Sequence, residues 1–172
     1  MTGNAEQIVV FLMGQPDKEK QWELSDYEKK RSKNQNSYYW SLVGEIAKKT
    51  HISSNEIHNR NLRDLGLVAR MDGSLVHIYL PDTDQTERDA LESQTFHIKP
   101  TSQVKAGNDG KNYRRYVMLR GSSDMTVEEF SALTDLIIQE ARSLGIETLP
   151  PDKLAHMREL EKQAEQRKGE KK

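Results

Sequence analysis

The sequence predicts an α+β fold: a small mixed or antiparallel sheet with three to four helices, completed by homodimerisation. Three observations carry this. Capping-box pairs, Ser32/Gln35, Ser53/Glu56 and Thr126/Glu129, each precede a stretch with apolar residues at helical spacing. Short β-branched or alternating runs lie between them, bounded by Gly, Pro and Asp-Gly. The chain has 172 residues of which 34% are hydrophobic, so the core is lean for one domain and a second copy would complete it.

In chain order, residues 8–13 (IVVFLM) read as a buried strand ended by Gly14 and Pro16. Residues 15–28 form a polar connection, with Trp22 and Leu24 as pinning residues. The first long helix starts near Lys33. Tyr39, Leu42 and Ile46 make one apolar stripe, and Trp40, Val43 and Ala47 the next one round. A short helix carrying Ile57, Leu62 and Leu65 closes at Gly66. Residues 68–71 and 75–80 flank Asp72-Gly73, a strong hairpin signal. The second run is apolar on both faces, which predicts an internal strand stopped by Pro81. Residues 84–93 hold a turn or two of helix. Residues 95–99 and 113–120 read as strands joined by a flexible loop, SQVKAGNDGKN; the Arg/Tyr alternation of the second implies an exposed polar rim. A long helix opens at Thr126, with Val127, Phe130, Leu133, Ile137, Ala141 and Leu144 on its apolar stripe and Gly145 at its end. Pro150-Pro151 marks a boundary: residues 1–150 form the main domain, and 151–172 a last helix (Leu154, Met157, Leu160) with a fraying tail.

Composition excludes several classes. There are no cysteines, hence no disulfide, Cys-ligated zinc or thiol nucleophile. No secretory leader and no membrane-length apolar run is visible, so a cytoplasmic protein with no membrane partner is expected. Net charge is −1, yet the cations are blocked: residues 29–63 hold eight Lys or Arg against two Glu, and residues 97–120 six against one Asp. That distribution suits one anion-binding face.

Catalytic motifs are weak. The five histidines form no HxH or HExxH pair, Ser122 and Ser123 lack a nucleophile elbow, and no glycine pair builds a phosphate loop. Neither catalysis nor a cofactor or metal is expected. Asp82, Asp84 and Glu87 are conceivable ligands of a metal-dependent nuclease, against the plainer reading of a polar turn after Pro81. Binding chemistry is richer. Lys29, Lys30, Arg31 and Lys33 stand beside Tyr38, Tyr39 and Trp40, joining cations that follow phosphates to rings that stack on bases. Gln35 and Asn36 can hydrogen-bond phosphate, sugar or base edges. The plainer reading of these residues is a solvated basic helix start followed by core aromatics. Lys105, Lys111, Arg114 and Arg115 are a second basic group.

Arg31-Ser32, Gln35-Asn36, Trp40 and residues 42–46 resemble the RSxxQNxxxWxxLG-type helix of the phage NinB/Orf recombination proteins. Ser122, Met125, Val127, Glu129, Phe130, Leu133, Leu136, Ile137, Ala141 and Gly145-Ile146 are similar to that family's C-terminal helix pattern. The two blocks, 31–47 and 120–150, keep the family's order; residues 55–120 depart from the lambdoid form and look more like versions from phages and prophages of Gram-positive bacteria. The resemblance implies a homodimeric, non-enzymatic DNA-binding mediator of phage recombination. It would prefer single strands and help a recombinase gain strands covered by host single-strand binding protein. On this reading the DNA site is Lys29, Lys30, Arg31, Lys33, Gln35, Asn36 and Trp40, with Lys105, Lys111, Arg114 and Arg115. A metal-dependent structure-selective nuclease and a protein-interaction adaptor that binds no DNA are the alternatives; Mg²⁺-dependent cleavage and gel shift separate them.

Overall fold

Five α-helices and two small antiparallel sheets are seen in a computed structural model that describes residues 5–16, 33–150, 152–156 and 159. The helices are α1 (Ala5–Met13), α2 (Lys33–Thr50), α3 (Ser54–Leu65), α4 (Asp84–Glu92) and α5 (Val127–Ser143); residues 152–156 are also helical. The strands are β1 (Arg70–Met71), β2 (Ser74–Leu75), β3 (His77–Pro81), β4 (Ile98–Ala106) and β5 (Asn112–Met118).

Helices α2, α3 and α5 build the main core, because each presents a stripe that water would otherwise wet. Tyr39, Leu42, Val43 and Ile46 of α2 meet Ile57 and Leu62 of α3 and Phe130, Leu133, Ile137, Ile138 and Ala141 of α5. Leu119, Met125 and Leu154 complete the cluster. The α5 capping box is formed in both directions: Thr126 Oγ1 accepts from the Glu129 amide and Glu129 accepts from the Thr126 amide. Such a cap contributes about 1 kcal/mol. Ser53 caps α3, and Gly66 ends it at φ 73°, a conformation that suits glycine. Polar joints add specificity: Asn61 of α3 donates to Glu140 of α5 at 2.9 Å, and the Leu149 amide donates to the Tyr38 hydroxyl at 3.0 Å.

The larger sheet has the order β3-β5-β4, all antiparallel. Strand alternation sorts its residues onto two faces. On the inner face Tyr116 and Ile98 are buried with Ala90 of α4, and Leu80 and Met118 pack beside them. Asn59 joins α3 to the end of α4 and to His97, just before β4. Its Nδ2 donates to the carbonyls of Leu91 (2.6 Å) and Ser93 (2.9 Å), and its Oδ1 meets His97 Nδ1 at 2.6 Å. The Asp72-Gly73 turn between β1 and β2 has positive φ at both residues, 49° and 77°, as a two-residue hairpin turn of this hand requires.

Four sequence expectations are corrected. Residues 8–13 are helical in α1, with Val9, Val10 and Met13 exposed. No described strand pairs with this segment, and a helix satisfies its own backbone where a lone strand could not. β3 is an edge strand among the described residues: β5 is the one described strand that flanks it, and Ile78 is 47% exposed. Residues 102–106, expected in a flexible loop, continue β4. They pair as Val104↔Arg114, Lys105↔Tyr113 and Ala106↔Asn112 after a register shift that follows Pro100. β5, expected to carry an exposed polar rim, is the central strand and buries Tyr116. The expected Ser32 cap and the tail 160–172 lie outside the described residues.

Candidate nucleic-acid interface

The outer face of the β3-β5-β4 sheet is where cations and rings converge. Register places Tyr79 opposite Arg115, His77 opposite Val117, and Lys105 opposite Tyr113, so all six side chains share one face. His77 and Lys105 are exposed; Tyr79, Tyr113 and Arg115 are half-buried. The Lys105 ammonium stands 3.7 Å above the centre of the Tyr79 ring, and His77 meets Tyr79 edge-on at 6.0 Å. Arg115 donates from one terminal nitrogen to Gln103 Oε1 at 2.9 Å. Its Nε is buried with no partner among the described residues, so the guanidinium has an unused donor.

The β4–β5 hairpin closes this face with a stiff turn. The Gly107 amide donates to the Lys111 carbonyl at 2.7 Å and the Gly110 amide to the Gly107 carbonyl at 3.2 Å. Asp109 accepts from the Lys111 amide at 3.1 Å and from the Tyr113 hydroxyl at 2.9 Å. These two bonds, the amide first, hold the Asp109 carboxyl below the usual carboxylate range, and the bond to Asp109 pushes the Tyr113 hydroxyl up. A Cβ on Gly107 would come within 2.5 Å of the Tyr113 ring, so the turn lies flat against that ring only because residue 107 is glycine. Between Tyr79, Tyr113 and the turn is a shallow cavity of about 420 Å³.

The sequence-predicted site residues divide three ways. Lys105 and Arg115 lie on this face, and Lys111 is exposed on the turn beside it. Arg114, on the inner face, is engaged: it makes two bonds to Asp82 (2.7 and 3.1 Å) and one to the Thr101 carbonyl. The hydrogen bond it donates to the Asp82 carboxylate raises its pKa above the usual arginine value. Arg114 is therefore held in an ion pair on the inner face. At the start of α2, Lys29, Lys30 and Arg31 lie outside the described residues, as does the side chain of Lys33. Gln35 is 1% exposed and donates to Ser131 Oγ of α5 at 2.8 Å, which withdraws it from a solvent-side partner. Asn36 is half-buried, with Oδ1 lacking a partner among the described residues. Trp40 is 37% exposed, lying on the His58 ring at 4.8 Å. It is thus neither core nor free.

Sequence reasoning missed Tyr79, Tyr113 and His77 as site residues. Their signal was the shared alternation of the two strands, but only the register shows that Tyr79 and Arg115 are neighbours. A second aromatic run crosses the helical side: Trp40, His58 and His97 touch in succession, and Tyr39 Oη meets His58 Nδ1 at 2.8 Å. Asn59 Oδ1 can only accept, so His97 carries its proton on Nδ1, and burial lowers its pKa. The nuclease alternative loses two of its three acids: Asp82 is tied to Arg114, and Glu87 to Arg63 and the Tyr116 hydroxyl. Among the described residues no group of three or more His, Asp or Glu is placed to hold a metal ion, and no helix is long and apolar enough to cross a membrane. No protein-family model, curated protein or solved structure matches the chain.

Proposed function

We propose that the chain is a non-enzymatic DNA-binding protein that prefers single strands, and that the outer face of the β3-β5-β4 sheet is its interface. The observation that carries this is the juxtaposition of Tyr79 and Tyr113 with Lys105 and Arg115 on one accessible sheet face. Exposed rings stack on any unpaired base, and adjacent cations follow the backbone between bases; duplex DNA hides its base faces and gains nothing from the tyrosines. The resemblance of residues 31–47 and 120–150 to the NinB/Orf proteins supports the finer reading. The protein then acts as an accessory mediator of phage homologous recombination, a homodimer working with host single-strand binding protein and a phage recombinase in the bacterial cytoplasm. The exposed Val9, Val10 and Met13 of α1 favour a further apolar contact such as a dimer.

The test is strand binding by the Lys105→Ala/Arg115→Ala double variant. Binding of a labelled oligothymidine should weaken at least ~10-fold with the fold kept, because Lys105 is exposed and, among the described residues, the Arg115 guanidinium bonds only Gln103 of the same sheet face. Unchanged binding would remove the sheet face from the function. Lys30→Ala/Arg31→Ala, in the sequence just before α2, measures in the same assay what that basic stretch adds. A monomer in sedimentation equilibrium at micromolar concentration would remove the homodimer.

A further inference from the structure

Resting on the single-strand reading, we propose that the cavity between Tyr79, Tyr113 and the 107–111 turn is a nucleobase pocket that selects guanine through the Asp109 carboxylate. The cavity, about 420 Å³, is shallow and open, and both tyrosines, Lys105 and the turn residues Gly107, Asn108 and Asp109 line it. Its rim carries one acid. Each Asp109 oxygen accepts one internal bond, from the Lys111 amide or from the Tyr113 hydroxyl, and a carboxylate has about four acceptor positions. The carboxylate lies at the surface, so its outer edge can still accept from a ligand. Among the four bases only guanine offers two adjacent donors, N1–H and the N2 amino group, on its pairing edge. Adenine and cytosine put an acceptor beside their amino group, and thymine flanks N3–H with two carbonyls that a carboxylate repels. An acid would be misplaced on a surface that merely attracts phosphate; at a base edge it is a selector.

The pocket is held ready before a base arrives. The Asp109 bond fixes the Tyr113 ring, Gly107 lies against that ring's edge, and the two turn bonds fix Asp109. Lys105 stands over the Tyr79 ring and swings off it to the adjoining phosphate when a base enters. That one side chain is what binding has to reorder.

The experiment uses labelled dT decamers whose central base is guanine, inosine, adenine or thymine, with fluorescence anisotropy on the full chain. Inosine keeps N1–H and lacks the N2 amino group. Guanine should bind about five-fold tighter than inosine or adenine, and Asp109→Asn should abolish that difference while all-thymine binding holds or tightens. Equal affinity for all four central bases would overturn the pocket and leave the single-strand reading standing. A uniform gain for every oligonucleotide in Asp109→Asn, with guanine still favoured, would make Asp109 a bystander charge and also overturn it. Failure to bind any decamer, all-thymine included, would sink the function and the pocket together. If Asp109→Asn does not fold, the guanine–inosine comparison on the unaltered protein decides alone.

Discussion

Trp40 shows how a single side chain changes value with its surroundings. As a core residue its truncation would cost ~3–5 kcal/mol. With 37% of its surface exposed and the His58 ring as main support, Trp40→Ala should cost only about 1–2 kcal/mol in chemical denaturation. A loss above 3 kcal/mol would show that the ring is more deeply held than its exposure implies. His97 makes a pH prediction. Burial lowers its folded pKa, so on acidification the unfolded chain takes up the proton first, near 6.5. Between that pH and the lower folded pKa the unfolded state holds more protons, and stability rises with pH. The contribution is complete above about pH 6.5 and is lost as pH falls through the folded value. Thermal melting at pH 5 should lie below that at pH 8, and His97→Gln should narrow the gap; an unchanged gap would assign it to other groups.

At the scale of elements, α2, α3 and α5 were legible because their caps and stripes are local: Thr126 with Glu129, Ser53 with Glu56, and Tyr39 with Leu42 and Ile46 all lie within a turn or two. The β1–β2 hairpin was legible for the same reason, its signal being two adjacent residues. What could not be read depends on partners far along the chain. Residues 8–13 look like a strand until none of the described strands is found to pair with them. The β4 extension through Lys105 looks like a loop until β5 supplies its ladder. The site suffered likewise. Gln35 reads as a surface amide at a helix start, and only the approach of α5 turns it to Ser131. Gln35→Ala should consequently lower the melting temperature and leave oligothymidine affinity unchanged, the reverse of Lys105→Ala/Arg115→Ala. A binding loss with normal melting would return Gln35 to the interface. The basic residues were visible in the sequence as a class. Which face each occupies was decided by register, with Arg114 facing Asp82 and its neighbour Arg115 on the outer face.

For the whole molecule, net charge is near zero while one sheet face is basic, so salt should act on binding much more than on folding. Affinity for single strands should fall by ~0.7 log units per phosphate contact for each log unit of salt; a flat response would point to a protein partner. The strand order β3-β5-β4 also sets a timetable. The β4–β5 pairing closes locally, Ala106 against Asn112, whereas Leu80 of β3 must find Arg114 across an intervening helix and strand. Loop closure of that length is slower and comes at greater entropic cost, so the hairpin forms early and β3 docks late. Among the described strands β3 also has a partner on one side only, and it should be the first strand to detach in local opening. Amide exchange should therefore be faster in β3 than in β5. Since Tyr79 rides on β3, transient release of that strand would take one wall of the base pocket with it, so the lifetime of a bound base should track how long β3 stays docked.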